Sequence, residues 1–487
     1  MKRVSLLIAL LLTAVGLFAK TTVIYHTSDT HGYYYPKNGV GGFAALANVL
    51  KNGPHPYLLL DSGDFSNGTA EAKSSKGIKS VQLMNKLGYQ ATTIGNHEFD
   101  FKEAAIAPMF EALNFPVLAA NFVDAQTNTY PAHVKPYEIF DVDGVKIAVI
   151  GLANRAAASS LKKYKFLKPI KALKKALKEV EALHPNVVVV IVHDSLHDQK
   201  HGVQPYVGDI GRKFSDRVNL VLGGHAHIFV NEKIKDTLYA EDGCNLQNVN
   251  KVTVVTDDET GKFVSAQAEL IPLVISKVGQ DAKVAAYAKS LMEPGMDKVI
   301  GKTAETISIS SDNPQHKDSP LNNFIADLGR AYTGVQIFAQ NNGGTRVDLP
   351  KGTITRHDVV DVNPFDNKIV MMTVDGKFLK YLVKHTLLPR SLYTYSGMTI
   401  TYRNKNGKVK DLKLFVDGQP VENHKTYTFA TNDYVAAGNM EGWPFKRIKA
   451  EDKKPFGTKG LRTLLEEGIA AQSPLIALPT GRIVEVK

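Results

Sequence analysis

The feature that most constrains this chain is a series of five polar segments, each placed directly after an apolar run typical of a buried strand. The segments are Asp29-Thr30-His31, Gly63-Asp64, residues 95–100 (GNHEFD), His193, and Gly224-His225-Ala226-His227. The apolar runs before them are Thr22–Thr27, Tyr57–Leu60, Ala91–Ile94, Val187–Val192 and Val218–Leu222, and Val145–Leu152 is a further strand candidate. Helical spacing at residues 78–87 and 171–183 lies between these runs. The alternation predicts an α/β layered fold with its site at the strand ends.

The length of 487 residues indicates more than one domain. Residues 20–280 carry the strand and helix alternation. Residues 281–300 are helical and polar-rich, broken at Pro294-Gly295, and we interpret them as an interdomain helix and linker. Residues 301–487 have a helix near Leu321–Tyr332, β-rich runs at 335–339 and 368–374, and frequent turns. They predict a second, α+β domain.

The N-terminus, residues 1–19, is typical of a signal peptide. Lys2 and Arg3 precede an uncharged, mostly apolar run, Val4–Phe18, and Ala19 offers a small residue for cleavage. This run is shorter than the ~20 residues of a transmembrane helix. We therefore expect a periplasmic or secreted protein with no stable membrane insertion after cleavage; an uncleaved anchor is the alternative.

The composition limits the kinds of partner that this protein is expected to bind. The formal net charge is +11, and a lysine-rich stretch at 162–178 is typical of the solvated face of an amphipathic helix. No nucleic-acid motif accompanies it, so no nucleic-acid polymer is expected as a partner. Cys244 is the only cysteine, which excludes an intrachain disulfide. We expect it to be a small buried hydrophobic residue.

The polar segments together predict a metal site. Single Asp-x-His or Gly-Asp pairs are weak signals, because they also occur in turns and cores. The ordered series of five after strands is far more specific. Imidazole and carboxylate donors suit Zn, Mn or Fe. Two such ions ~3.5–4 Å apart would neutralise an anionic phosphate ester and activate water.

These motifs resemble those of the calcineurin-like metallophosphoesterase superfamily, and within it the 5'-nucleotidase family, which includes periplasmic UDP-sugar hydrolases. For residues 20–280 the resemblance implies a four-layer β-sandwich flanked by helices. It also implies two divalent metal ions, Zn, Mn or similar. Asp29, His31 and His227 would bind one metal, Asn96, His193 and His225 the other, and Asp64 would bridge them. Many family members have Gln at the position of His227.

The resemblance gives His97 a role other than metal binding. It would be the catalytic histidine that stabilises the transition state or protonates the leaving group, with Asp100 orienting its ring. Glu98 lies in the same motif and is assigned no direct role.

The second domain carries a further part of the resemblance, across most of 301–487. Asn341 and Arg346 fit the family's NxGGxR motif, with Arg346 on the substrate phosphate. Phe365 and Tyr434 would clamp a base between them. The chain departs from the family at Glu441, where an Asp for the ribose hydroxyls is usual, and at Lys317, where an Arg is expected.

The sequence thus predicts a hydrolase of nucleoside monophosphates that acts as a monomer on a small nucleotide substrate, with a hinge near 281–298. A UDP-sugar, a 2',3'-cyclic nucleotide or another phosphomonoester are alternative substrates. A thiosulfohydrolase, which shares the two-domain plan, and a non-catalytic binding protein rank lower.

Overall fold

The computed structural model describes residues 19–37, 39–155, 161–198, 202–203 and 205–486. The chain divides into two compact units, Met1–Met292 and Glu293–Lys487. Apart from Ala19, which begins the first strand, the signal peptide expected at 1–19 lies outside the described residues. Among the residues that are described, no helix is long and apolar enough to cross a membrane.

The first unit is built on two mixed sheets. The spatial order of the seven-stranded sheet is Phe263–Pro272, Asn248–Asp257, Ala19–Thr27, Tyr57–Asp61, Ala91–Thr92, Val117–Leu118 and Val134–Lys135. The order of the six-stranded sheet is Phe229–Ile234, Thr237–Asp242, Leu220–Leu222, Val187–Val192, Val145–Leu152 and Tyr137–Val142. Two small ribbons pair Phe122–Asp124 with Tyr164–Phe166 and His197–Asp198 with Gly202–Val203.

These two sheets pack face to face, and helices cover their outer faces. Ile24 and Leu58 of one sheet share an apolar core with Ile147 and Val189 of the other. The helices are Phe43–Asn52, Ala70–Ser74, Ile78–Leu87, Ile106–Glu111, Pro169–Glu181, Pro205–Phe214, Ile275–Val278 and Ala282–Ser290, with 3-10 turns at His97–Phe99 and Glu103–Ala105. The expected four-layer sandwich is confirmed.

Parallel pairing brings the polar segments to common sheet edges. The strand Ala19–Thr27 lies parallel to Tyr57–Asp61, which lies parallel to Ala91–Thr92. In the other sheet, Val187–Val192 lies parallel to Leu220–Leu222. Because parallel strands end at the same edge, the loops that follow them gather there.

The second unit is α+β. Its five-stranded sheet has the order Tyr393–Ser396, Ile337–Asn341, Thr426–Asn432, Lys368–Asp375 and Lys454–Gly460, and its four-stranded sheet has the order Gln419–Pro420, Lys408–Val416, Met398–Lys405 and Ile483–Glu485. A ribbon pairs Val299–Thr303 with Gly352–Thr355. The helices are Pro320–Thr333, Arg356–Val362, Gly376–Thr386, Asp433–Ala436 and Leu461–Ala471, with 3-10 turns at Asn342–Gly344, Met440–Arg447 and Ala450–Asp452.

Several element boundaries differ from the expected ones. The helix expected at 171–183 is Pro169–Glu181, because proline is favoured at a first helical position. Within the expected linker, Asp281 caps the helix Ala282–Ser290 by accepting hydrogen bonds from two backbone N–H groups. Val284 and Ala288 of this helix are buried in the core of the first unit.

Candidate active site

The strand-end loops of the first unit bring six of the seven expected metal donors, all except Asn96, into two adjacent groups. The donor atoms of Asp29, His31 and His227 lie within 4.8 Å of one another. The same holds for Asp64, His193 and His225, and again for His31, Asp64 and His97. Asp64 thus lies beside both sets of imidazoles.

The backbone of these loops is unusual. Five donor residues have positive φ angles, namely Asp29 (51°), His31 (49°), Asp64 (57°), His225 (79°) and His227 (59°). Such conformations are costly for residues other than glycine and cluster at functional sites. The neighbouring glycines permit close approach, since a Cβ on Gly95 would lie 2.1 Å from Asp64 Oδ1, and one on Gly224 would lie 1.8 Å from Ser28 Oγ.

Backbone carbonyls fix the orientation of two imidazole rings. His31 Nδ1 lies 2.9 Å from the Asn67 carbonyl, and His193 Nδ1 lies 2.6 Å from the Ser62 carbonyl. Each Nδ1–H therefore donates, which leaves the Nε2 lone pair free to bind a metal. His193 Nε2 lies 3.0 Å from Asp64 Oδ2. A lone pair directed at a carboxylate requires a cation or a proton between them.

Unsatisfied atoms at the same place fit divalent ions. Asn96 Oδ1 is buried and has no hydrogen-bond partner among the described residues. Asp29 Oδ1 and His193 Nε2 are also buried, and they contact only other donors of the cluster, at 3.3 Å from His227 Nε2 and 3.0 Å from Asp64 Oδ2. Burying such atoms without partners is costly. Nitrogen and oxygen donors together suit Zn or Mn. The residues present therefore fit a metal centre.

His97 lies at the edge of this cluster and is partly exposed. Its Nδ1 lies 2.5 Å from Asp100 Oδ2, and its Nε2 lies 3.9 Å from Asp64 Oδ2. Asn67 Nδ2 donates a second hydrogen bond to Asp100, at 2.6 Å. Burial lowers the pKa of His97, but Asp100 and Asp64 outweigh it, so its pKa is raised overall. Asp100 thus holds the ring and favours its protonated form.

A polar layer lies beneath the metal donors. His26 is fully buried, and its Nε2 lies 2.8 Å from Ser62 Oγ. Ser62 Oγ donates to the Leu222 carbonyl at 2.8 Å, which ties the loop after the strand Tyr57–Asp61 to the strand Leu220–Leu222 of the other sheet. Burial lowers the pKa of His26 to about 3, so the ring is neutral at physiological pH.

The second unit has a pocket of about 880 Å³. All six residues expected to bind substrate line it, namely Lys317, Asn341, Arg346, Phe365, Tyr434 and Glu441. The rings of Phe365 and Tyr434 are 48% and 37% exposed. Exposed aromatic rings in a pocket are available to stack on a flat ligand.

Side-chain hydrogen bonds order one wall of this pocket. Asn341 Nδ2 donates to Glu441 Oε1 at 2.7 Å, and Asn432 Nδ2 donates to Asn341 Oδ1 at 2.6 Å. Lys317 Nζ donates to the Pro314 carbonyl at 2.6 Å and lies 3.1 Å from the carboxylate of Glu485. The charge of Lys317 is therefore partly neutralised within the unit.

Two family models match the chain. The one described as calcineurin-like phosphoesterase matches residues 22–229, and the one described as 5'-nucleotidase, C-terminal domain, matches residues 299–447. The chain belongs to the 5'-nucleotidase family. It is a metal-dependent hydrolase of phosphoesters. The resemblance found in the sequence is confirmed.

Alignments with relatives of this 5'-nucleotidase family member cover most of its length. A 5'-nucleotidase of Vibrio vulnificus is 26% identical over 483 residues, covering 87% of this chain and 86% of that protein. Endonuclease YhcR of Bacillus subtilis is 26% identical over 88% of this chain, but the chain spans only 36% of that protein. The crystal structure of a 5'-nucleotidase precursor from Thermus thermophilus shares the fold, with a TM-score of 0.73 at 23% identity over 96% of this chain and 99% of that one.

Glu98 has a structural role in this 5'-nucleotidase family member that its sequence motif did not reveal. Its fully buried carboxylate accepts hydrogen bonds from the backbone N–H groups of Asp64 (3.0 Å), Phe65 (3.0 Å), Ser66 (3.2 Å) and Gly95 (2.7 Å). It thereby joins the loop of Asp64 to the loop of Asn96 and His97. The only signal in the sequence was a carboxylate among glycine-rich turns, whose backbone donors need an acceptor.

The expectation for Cys244 is wrong. Its side chain is half-buried rather than buried. The pKa of His227 is raised to about 10, first by the hydrogen bond with Asp29 and then by one with Cys244. Cys244 follows the strand Thr237–Asp242 in a loop that is held to the Asp29 carbonyl by the backbone N–H of Asn245, at 2.7 Å. This loop brings the thiol to a metal-donor candidate.

Proposed function

We propose that this protein is an exported dinuclear-metal 5'-nucleotidase that hydrolyses nucleoside monophosphates to a nucleoside and phosphate. The observation that carries the proposal is the position of Asp64, whose carboxylate lies in donor groups with His31 on one side and with His193 and His225 on the other. A carboxylate between two sets of imidazoles suits a pair of cations. The apolar N-terminal run supports export.

In this proposal the first unit supplies the hydrolytic centre. Asp29, His31 and His227 would hold one ion, Asn96, His193 and His225 would hold the other, and Asp64 would serve both. When bound, Zn or Mn ions neutralise the phosphate charge and lower the pKa of a bound water. Glu98 holds the donor loops in place through its hydrogen bonds to their backbone.

His97 would act on the leaving group. Its Nε2, on the side of the ring opposite Asp100, donates a hydrogen bond or a proton to the nucleoside oxygen as the phosphorus–oxygen bond breaks. Asp100 keeps the ring oriented and favours its protonated form. This assignment rests on the His97–Asp100 contact and on the matching family motif.

The second unit would recognise the nucleotide. Phe365 and Tyr434 stack on the base, Arg346 binds phosphate oxygens with its planar guanidinium, and Glu441 accepts hydrogen bonds from the ribose hydroxyls. Asn341 supports Glu441 through their hydrogen bond. Lys317 adds a point charge for phosphate. The substrate is a small nucleotide, and the protein acts as a monomer.

A nucleoside diphosphate sugar is a second candidate substrate. The pocket of about 880 Å³ has room beyond a mononucleotide, and three cationic side chains, Lys317, Arg346 and Arg390, line it. A second phosphate would use this additional positive charge.

A substrate panel with two matched variants tests the proposal. The purified protein is assayed with Mn or Zn against nucleoside monophosphates, UDP-glucose, 2',3'-cyclic nucleotides, a non-nucleotide phosphomonoester and a thiosulfate ester. We expect nucleoside monophosphates to react fastest. Asp64→Asn should lower the rate by roughly a thousandfold, since several kcal/mol of charge stabilisation depends on the metals.

Asp143→Asn is the control, because Asp143 is an exposed residue of the same unit. Equal activity of Asp64→Asn and Asp143→Asn would refute the metal assignment. A preference for a non-nucleotide ester would refute the substrate assignment, and nucleotide binding without turnover would indicate a binding protein.

A further inference from the structure

Most of the net positive charge of this protein lies in one short stretch. Residues 162–178 contain eight lysines and no acidic residue, which gives this stretch a charge of +8 out of a formal net charge of +11. The rest of the chain therefore carries only +3. We call these eight residues the lysine surface: Lys162, Lys163, Lys165, Lys168, Lys171, Lys174, Lys175 and Lys178.

The fold presents this charge outward. Lys165 lies on the strand Tyr164–Phe166, and Lys171, Lys174, Lys175 and Lys178 lie on the helix Pro169–Glu181. The other three lysines lie in the segments just before these two elements. That helix buries Ala172, Leu173, Ala176, Leu177 and Val180 against its sheet, while Lys171, Lys174, Lys175 and Lys178 are exposed on the opposite face. At 1.5 Å per residue, these four extend over about 10 Å.

Few protein groups neutralise the lysine surface. Among the described residues, its only ion pair joins Lys175 to Glu179 at 3.9 Å. Lys165 donates to the Ala125 carbonyl at 3.0 Å, and Lys163 lies over the ring of Tyr164 at 5.3 Å. The Glu103 carboxylate also lies beside Lys162 and Lys163, since it accepts hydrogen bonds from their backbone N–H groups at 3.1 and 2.7 Å. The charges left to solvent and mobile ions, which an anionic partner would displace, are therefore mainly those of Lys168 and the helix.

We propose that the lysine surface docks this protein on an anionic phospholipid bilayer. A lysine near such a surface contributes about a fivefold gain in partitioning, so a cluster of this size is sufficient for reversible binding without an inserted apolar group. Insertion of the helix is excluded, since its apolar face packs in the core. This inference is independent of the proposed hydrolytic function.

The shape and composition of the lysine surface favour a bilayer over a nucleic-acid strand as its partner. Proteins that bind single strands combine a charged groove with aromatic side chains that stack on bases. Here four of the eight charges lie on the convex outer face of a helix. Tyr164 is only 5% exposed, and Phe166 packs against Phe122, so neither ring is available to a base. A row of ammonium groups on a convex face fits a planar array of lipid phosphates.

Vesicle sedimentation with matched variants tests this proposal. The purified full chain is mixed with phosphatidylcholine vesicles, with or without phosphatidylglycerol. We expect binding only to the anionic vesicles and release at about 0.5 M salt, where the screening length falls to roughly 4 Å. The combined change Lys171→Gln, Lys174→Gln, Lys175→Gln and Lys178→Gln should lower partitioning roughly a hundredfold or more.

The control removes four exposed lysines of the second unit, as Lys405→Gln, Lys408→Gln, Lys410→Gln and Lys413→Gln. It should retain most of the binding, and both variants should hydrolyse a soluble phosphoester at the wild-type rate. Equal loss in the two variants, salt-resistant binding, or binding to RNA but not to vesicles would each overturn the proposal.

Discussion

The metal-donor cluster of the first unit and the pocket of the second unit are built in opposite ways. Asp29, Asp64 and His193 are at most 1% exposed, and backbone groups fix their loops. Phe365 and Tyr434 are 48% and 37% exposed and line an open pocket. Buried, fixed carboxylates favour one geometry of the cluster and hence one type of reaction. An open aromatic pocket tolerates variation in the ligand. We therefore expect changes in the first region to lower kcat and changes in the second to raise KM.

The largest effect that tests this difference is expected for His97→Ala. Loss of the proton donor should lower kcat by about 10²–10⁴-fold and leave KM nearly unchanged, because the ring acts in the transition state. Steady-state kinetics on a nucleoside monophosphate measures both constants. His424→Ala, at an exposed histidine of the second unit, is the control. An increase in KM with kcat retained would contradict the role of His97.

Phe365→Ala is expected to have a smaller effect, and to change KM rather than kcat. Stacking on a base contributes about 1–3 kcal/mol, so KM for nucleotides should rise roughly tenfold to a hundredfold while kcat changes little. A phosphomonoester without a base should be hydrolysed as before. Leu183→Ala is a control of similar exposure, at 45%, in the first unit. If KM rose equally for the baseless substrate, the ring would not be contacting a base.

The smallest effect concerns the stability of the buried region as pH falls. Burial lowers the pKa of His26 from 6.5 to about 3. Below pH 6.5 the unfolded chain gains a proton that the folded chain cannot accept, so stability decreases toward acid. Between about pH 7 and pH 5 this one group should cost about 2 kcal/mol of unfolding free energy.

His26→Gln isolates this contribution, because glutamine does not titrate and its amide can replace the hydrogen bond to Ser62. Urea unfolding at both pH values, with a chelator present to remove metal effects, gives the pH dependence for each protein. Between pH 7 and pH 5 the variant should lose about 2 kcal/mol less of its unfolding free energy than the wild type. Equal losses would mean that His26 is protonated in the folded state.

Local sequence patterns predicted the regular elements of the first unit well. The helix Ile78–Leu87 and the strands Val145–Leu152 and Val187–Val192 have the expected bounds, because apolar periodicity and flanking glycines act locally. The strand expected at Val218–Leu222 begins only at Leu220, where pairing with Val189 begins. Strand ends depend on the neighbouring strand, which local patterns do not specify.

By itself, the sequence determined which donor atoms are available and in what order they follow the strands, since residue type and spacing are local properties. Only the tertiary structure decided how those atoms are held. Glu98 meets the backbone of Asp64 across 34 residues, and His193 meets the Ser62 carbonyl across 131. Such contacts form only when strands that are distant in the chain lie side by side, and they depend on backbone groups that every residue carries. For that reason the motif that contains Glu98 did not reveal its role, and no motif marked Ser62 or His26 in advance.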